Sequence, residues 1–472
     1  MQKTKMIFTI GPASDNEEIL KKFIEIGMSA ARLNFSHGTH EDHKIKIDLI
    51  KKLRNELNSS TAILMDIKGP KIRTHNFANN EATLKEGNNF IFSCGGEILG
   101  DETKCSISYD VLYEDIKPGG TILVDDGLLE FRVDKVEGKD IICTVVVGGT
   151  MKNHKGVNVP NVNIKLPGIT DKDKEDLKFG CEMGVDFVAA SFVRKASDVA
   201  EIRSLLDDHG GADIRIISKI ESQEGVDNID SIIEVSDGIM VARGDMGVEI
   251  PIEKVPIIQK SIIRKCNEAG KIVITATQML DSMIRNSRPT RAEACDICNA
   301  IFDGTDAIML SGESASGNYP IEAASTMSRI AKETEANLDY GHLMRRLKEP
   351  SLSAFGDAIS YSAAKTALKF PTKAIVAATQ SGATARLLSK YRPSCPIVAI
   401  TPNDSVRRHL SLNFGVIPKI CREFSTTDEI INEAKNAAIE VGIATTGENI
   451  IVAAGMPTAH TGGTNMLKIE KL

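Results

Sequence analysis

The chain has 472 residues, 42% of them hydrophobic, which is too long for one core and rich enough to bury two or three. Its 57 Lys and Arg against 64 Asp and Glu give a net charge of −7, which argues against nucleic acid or an anionic membrane surface as a partner. No stretch approaches the roughly 18 apolar residues of a membrane span, and the nine scattered cysteines fit a reducing cytoplasm better than a disulfide framework.

The opening MQKTKMIFTIGPAS carries a short apolar run stopped by Gly11 and Pro12, so it reads as a first strand and not a signal peptide. From there to residue 70 a βαβαβ rhythm is expected: strands at Met6 to Ile10, Ala30 to Phe35 and Ala62 to Ile67, with helical patterns from Asn16 and His40. Residues 71–167 change to period-two strands, with hairpins expected at Asp126-Gly127 and Glu137-Gly138, and read as an all-β insertion. The βα rhythm resumes over 168–346, with strands at Phe187 to Ala190, Ile214 to Lys219, Gly238 to Ala242, Ile272 to Ala276 and Ala307 to Leu310. Three strands plus five predict a (β/α)₈ barrel with a domain inserted after its third strand. Beyond the breaker Lys348-Glu349-Pro350, residues 352–472 repeat the pattern from Ala374, Ile397 and Ile450, as in a doubly wound α/β domain.

Barrel enzymes build their sites at the carboxyl ends of strands. Here those ends carry Asn34 and Ser36, Asp66 and Lys68, Ser191, Lys219 and Glu221, Arg243 and Asp245, Thr277 and Gln278, and Ser311 and Glu313. Lys219 and Glu221 are two apart, so both leave one face of the fifth strand. Alone they would pass for a solvated ion pair. With Asp245 one strand later, they suit a magnesium ion completed by water and substrate oxygens, beside a cation that neutralises a phosphoryl group. Gly244 lets backbone approach a ligand. Arg32 and Arg73 are either phosphate forks or salt bridges; Thr277 reads equally as a satisfied hydroxyl or a proton donor. The CxxC of Cys295 and Cys298 reads as packing, and His37, His40 and His43 as structural residues. Neither a P-loop nor a dinucleotide fingerprint occurs, whereas Thr379, Ser381, Gly382 and Thr384 follow a strand and open a helix, a plausible phosphate nest that could equally be a plain turn.

Taken together, LNFSHG, KGPKIRT, KGVNVP, ISKIE, ARGDMGVEIP, ATQML, PTRAE and MLSGESASG occur in an order that closely resembles the pyruvate kinase family. The resemblance extends to the β insertion and the last domain, and no further appended module is expected. It implies transfer of the phosphoryl group of phosphoenolpyruvate to ADP, giving pyruvate and ATP, with the β insertion as a lid. It implies that Lys219 stabilises the phosphoryl group and the enolate, and that Glu221 and Asp245 hold magnesium or manganese. Gly244, Asp245 and Thr277 would surround the substrate carboxylate, Arg32 would hold its phosphate, and Asn34, His37, Arg73 and Lys155 would serve the nucleotide. Thr277 would protonate the enolate through water near Ser311 and Glu313. Asn34, Ser36 and Asp66 match a potassium site, but Lys71 stands where potassium-dependent members carry Glu and Ile67 where they carry Thr, so Lys71 is expected to replace the ion. The family further implies a homotetramer and a phosphorylated allosteric effector. Two rivals remain at this stage: a metal-dependent aldolase or lyase that stabilises a pyruvate enolate, and a non-catalytic sensor built on the last domain's loop.

Overall fold

The computed structural model describes every residue except 1, 161, 163, 348–354, 425 and 456–462. Eight parallel strands close into a barrel: Lys5–Thr9, Met28–Asn34, Ala62–Asp66, Phe187–Ala190, Arg215–Ile220, Gly238–Ala242, Ile272–Ala276 and Ala307–Leu310, numbered here one to eight. Parallel strands covered on both faces need apolar side chains at successive positions, and KMIFT, GIMVA and IVITA are buried throughout. The period of two sorts them. Ile7, Leu64, Ile217, Met240, Ile274 and Met309 fill the barrel, while Met6, Phe8, Ile63, Ile216 and Val241 pack against the helices.

Several surrounding helices have a chemical start signal. Thr39, Thr170 and Thr290 form capping boxes with Asp42, Asp173 and Glu293, each worth about 1 kcal/mol. Asp173 does more than cap. Its Oδ1 also accepts a hydrogen bond from Gly69 N at 3.0 Å, anchoring the chain as it leaves the third strand for the insertion.

The insertion is a seven-stranded sheet plus a two-stranded ribbon of Glu81–Leu84 and Gly149–Lys152. Thr121–Val124, Leu129–Glu137 and Asp140–Val147 pair antiparallel through the two expected hairpins. Asp125, Asp126, Gly127 and Gly138 take up positive φ in those turns. Phe90, Phe92 and Phe131 form its core, with ring centroids 4.9 to 5.3 Å apart.

The last domain holds five strands in the spatial order Val416–Ile420, Ile397–Thr401, Ala374–Ala378, Asn449–Gly455 and Thr464–Lys471, the final one antiparallel. It packs on the amino end of the barrel. Arg408 Nε lies 2.5 Å from Asp186, just before the fourth strand, and Arg392 Nη1 lies 2.9 Å from Asp306, just before the eighth. The breaker at 348–350 lies outside the described residues. Among the described residues no helix is long and apolar enough to cross a membrane.

Candidate active site

The mouth of the barrel is organised around one buried carboxylate. Asp66, ending the third strand, accepts from Arg32 Nε at 2.6 Å and from Lys219 Nζ at 3.2 Å. Lys219 Nζ also donates to Ser191 Oγ at 2.6 Å, and Arg32 Nη1 to Thr9 Oγ1 at 2.9 Å. Strands one to five thus meet in a single network. Burial acts to raise the Asp66 pKa, but Arg32 and Lys219 outweigh it and hold the carboxylate below its usual range. For Lys219, burial acts to lower the pKa; Asp66 and Glu221 prevail and keep it charged.

Glu221 is fully buried, and burial first, with Asp245 adding to it, raises its pKa against the pull of Lys219. Its Oε2 accepts from Phe192 N at 2.6 Å. Its Oε1 lies 3.1 Å from Lys219 Nζ yet makes no hydrogen bond, leaving a buried acceptor unfilled. Asp245 sits in the first turn of the helix Arg243–Glu249 and is partly exposed. A buried open oxygen beside a second carboxylate fits a hard divalent cation that keeps water and substrate oxygens. Among the described residues, no group of three or more His, Cys, Asp or Glu forms a closed cage.

Thr277 has φ +66° and Gln278 φ +54°. For a β-branched residue this conformation is strained by about 1 to 3 kcal/mol, the kind of cost that collects at working sites. Thr277 Oγ1 donates to Ala276 O at 2.6 Å and accepts from Gly244 N at 2.8 Å, so the two neighbouring strand ends are joined at this hydroxyl. Glu313 bridges the Leu280 and Ser311 backbone N–H groups at 3.0 and 2.8 Å, and Ser311 Oγ is buried without a partner.

Other sequence-expected residues stand apart. Asn34 and His37 line a cavity of about 510 Å³ with Thr9, Gly11, Pro12 and Asp15. Asn34 Oδ1 accepts from Ser36 N at 3.1 Å. Arg73 Nη1 donates to His154 O at 2.9 Å and Lys155 pairs with Asp125 at 2.8 Å, both at the root of the insertion. Among the described residues neither is bonded to the Asp66 network. Lys71 differs from expectation. Its ammonium does not join Asn34, Ser36 and Asp66 but lies 2.9 Å from Asp245 Oδ1 and 3.3 Å from Asp126 Oδ1. A long stem lets it reach the Asp245 carboxylate, which among the described residues forms no other ion pair; burial lowers its pKa, and Asp245 and Asp126 more than restore it.

In the last domain Gly382, at φ +81°, caps the helix Ala383–Lys390, Ser381 O accepts from Arg386, and Thr384 Oγ1 meets Thr464 Oγ1 at 2.8 Å. This loop lies where the strand order reverses, the usual crevice of such sheets. His460 lies outside the described residues. His40 pairs with Asp176 at 2.6 Å and His43 stacks on Phe35, so both are structural. Cys298 is half-buried, but Cys295 is exposed instead of packed. Two groups of the site carry no motif: Thr9, whose signal is a hydroxyl at the end of the first strand, and the backbone N–H of Phe192, which has none.

Two family models match: "Pyruvate kinase, barrel domain" over residues 1–324 and "Pyruvate kinase, alpha/beta domain" over residues 357–470. The chain belongs to the pyruvate kinase family. It is 75% identical to a pyruvate kinase of Clostridium perfringens, over all of both chains, and 57% identical to one of Clostridium acetobutylicum, over all of this chain and 99% of that one. A solved pyruvate kinase from Cryptosporidium parvum superposes with TM-score 0.95 at 40% identity, covering all of this chain and 96% of that one. The chain is accordingly a phosphotransferase, and the aldolase or lyase reading finds no support among these relatives.

Proposed function

We propose that the chain transfers the phosphoryl group of phosphoenolpyruvate to ADP and protonates the resulting enolate. The observation that carries this reading is the convergence of Arg32, Lys219, Asp66 and Glu221 at one barrel mouth, within a chain whose relatives are pyruvate kinases. Arg32 and Lys219 orient and neutralise the phosphoryl group as its bond to the enol oxygen breaks and a bond to the ADP β-phosphate oxygen forms. Glu221 and Asp245 hold a magnesium or manganese ion, which when bound neutralises phosphate charge. Gly244, whose N–H is held by Thr277 Oγ1, and the Asp245 turn lie beside the substrate carboxylate. Thr277, with Ser311 and Glu313 beside it, feeds the proton to the enolate carbon through water. Asn34, His37, Arg73 and Lys155 line the path to the nucleotide, and the insertion closes over it.

Lys71 pairs with Oδ1 of Asp245, so its ammonium would sit beside a metal held there and supply the positive charge that other members draw from potassium. The segments divide at 1–70, 71–167, 168–346 and 352–472, as barrel, lid, barrel and regulatory domain. The nest of Thr379, Ser381, Gly382 and Thr384 binds a phosphorylated effector, the assembly is a homotetramer, and nine free cysteines fit the cytoplasm. ATP formation from phosphoenolpyruvate and ADP with magnesium tests the reaction; purified protein that makes none refutes it.

A further inference from the structure

The left-handed turn at Thr277 and Gln278 is gripped from outside. Arg243, the first residue after the sixth strand's end, reaches to the end of the neighbouring seventh. Its Nε donates to Ala276 O at 3.2 Å and its Nη2 to Thr277 O at 2.6 Å. Its Nη1 is fixed by both oxygens of Asp296, at 2.7 and 2.6 Å, on the outer helix Arg291–Asp303. The Arg243 side chain is only 11% exposed, so these are its standing partners. A guanidinium can hold three acceptors in fixed directions; an ammonium at the same place cannot.

The two carbonyls that Arg243 holds flank the Thr277 hydroxyl, which itself bonds Ala276 O and Gly244 N. A turn in a disfavoured conformation keeps its place only while its surroundings impose it. We propose that Arg243, oriented by Asp296, is a positioning residue for the protonation half of the reaction: it holds the strained turn so that Thr277 Oγ1, on turning from Ala276 O, presents its proton to the enolate carbon. The inference rests on the functional reading above. In that step the enolate C=C electron pair takes a proton at the methylene carbon from the Thr277 side, the C–O bond becomes the ketone, and water restores the proton. Phosphoryl transfer rests on Lys219, Arg32, Glu221 and Asp245; among the described residues the Arg243 side chain bonds none of them, so loosening the clamp slows the second half more than the first.

The test uses full-length Arg243→Lys, Arg243→Ala and Asp296→Asn in rapid-quench experiments. Expected for both Arg243 variants is a burst of ATP approaching one per site, then steady turnover lower by about 30- to 100-fold, the scale of an ångström-level misplacement. The solvent deuterium effect on kcat should rise, and millimolar guanidinium should restore several-fold activity to Arg243→Ala while leaving the parent unchanged. Asp296→Asn should fall between, and it and Arg243→Lys decide the matter if Arg243→Ala does not fold. Burst and steady rate falling together, with no change in isotope effect and no rescue, would make the clamp merely structural and overturn the proposal; unchanged turnover would do the same. The parent run in parallel separates the two readings: an active parent leaves the clamp to be judged on these outcomes, whereas a parent that makes no ATP rejects the functional reading and this role with it.

Discussion

Replacing Lys219 by Met removes a charge while keeping most of the volume, and its effects on catalysis and stability can be worked separately. The ammonium lies within 3.2 Å of Asp66, Ser191 and Glu221. Removing one preorganised group that faces developing charge costs about 10² to 10³ in turnover, roughly 3 to 4 kcal/mol, and a full cation should reach the upper end. Breaking a buried ion pair costs about 3 to 5 kcal/mol of stability when a carboxylate is stranded. Here the loss should stay near the lower end. Asp66 keeps Arg32 at 2.6 Å, and Glu221, whose pKa is already raised by burial, can neutralise itself by taking a proton. The variant should therefore fold, show a parent-like circular dichroism spectrum with a lower melting temperature, and form ATP at least 100-fold more slowly. Turnover within about threefold of the parent, less than 1 kcal/mol, would refute the reasoning.

Four further outcomes follow from particular contacts. Burial above all lowers the His409 pKa to about 4, so the unfolded chain binds the extra proton between pH 6.5 and 4 and stability drops as pH falls through that window; chemical unfolding of the parent should lose roughly 2 kcal/mol more than His409→Gln between pH 7 and pH 5. Gly69 has φ +68°, and a Cβ there would lie 2.7 Å from Ser191 O, so Gly69→Ala should lower thermal stability by about 2 kcal/mol and raise the KM for ADP; an unchanged melting curve counts against the anchored connection. Lys71→Glu should make turnover depend on potassium at fixed ionic strength, and a parent active only with potassium would contradict the ammonium's role. Replacing Thr379, Ser381 and Thr384 together by Ala should abolish activation by a phosphorylated effector at near-normal saturated turnover, checked by titrating candidate sugar phosphates; equal activation of variant and parent would exclude this loop.

The barrel was readable because its strands are buried on both faces and must be apolar at nearly every position. KMIFT and GIMVA admit few other readings in that context, and the observed strand ends fall within two residues of those expected. The mouth was readable for the complementary reason: Asp66, Lys219 and Glu221 interrupt such runs where packing alone gives no motive for a charge. What the sequence could not reveal is partner choice over long separations. Lys71 pairs with a carboxylate 174 positions away, and the backbone of Thr277 is set by an arginine 34 positions before it. Nothing local in Ala276-Thr277-Gln278 announces a left-handed turn, because the conformation opposes local preference and is met by distant partners, Arg243 and Gly244.

These two misses have the same physical origin. A strand end is fixed by the ladder, so a short side chain such as Asp66 can reach only one small region of the mouth. The long stems of Lys71 and Arg243 sweep volumes that include several acceptors, and electrostatics selects among them after the fold has formed. For Lys71 the winning acceptor is Asp245 at 2.9 Å, with Asp126 of the insertion at 3.3 Å. One ammonium therefore ties the insertion to a carboxylate of the barrel mouth. A ligand that claims Asp245 Oδ1 competes with that tie, so occupancy of the mouth and the position of the insertion act on the same ammonium.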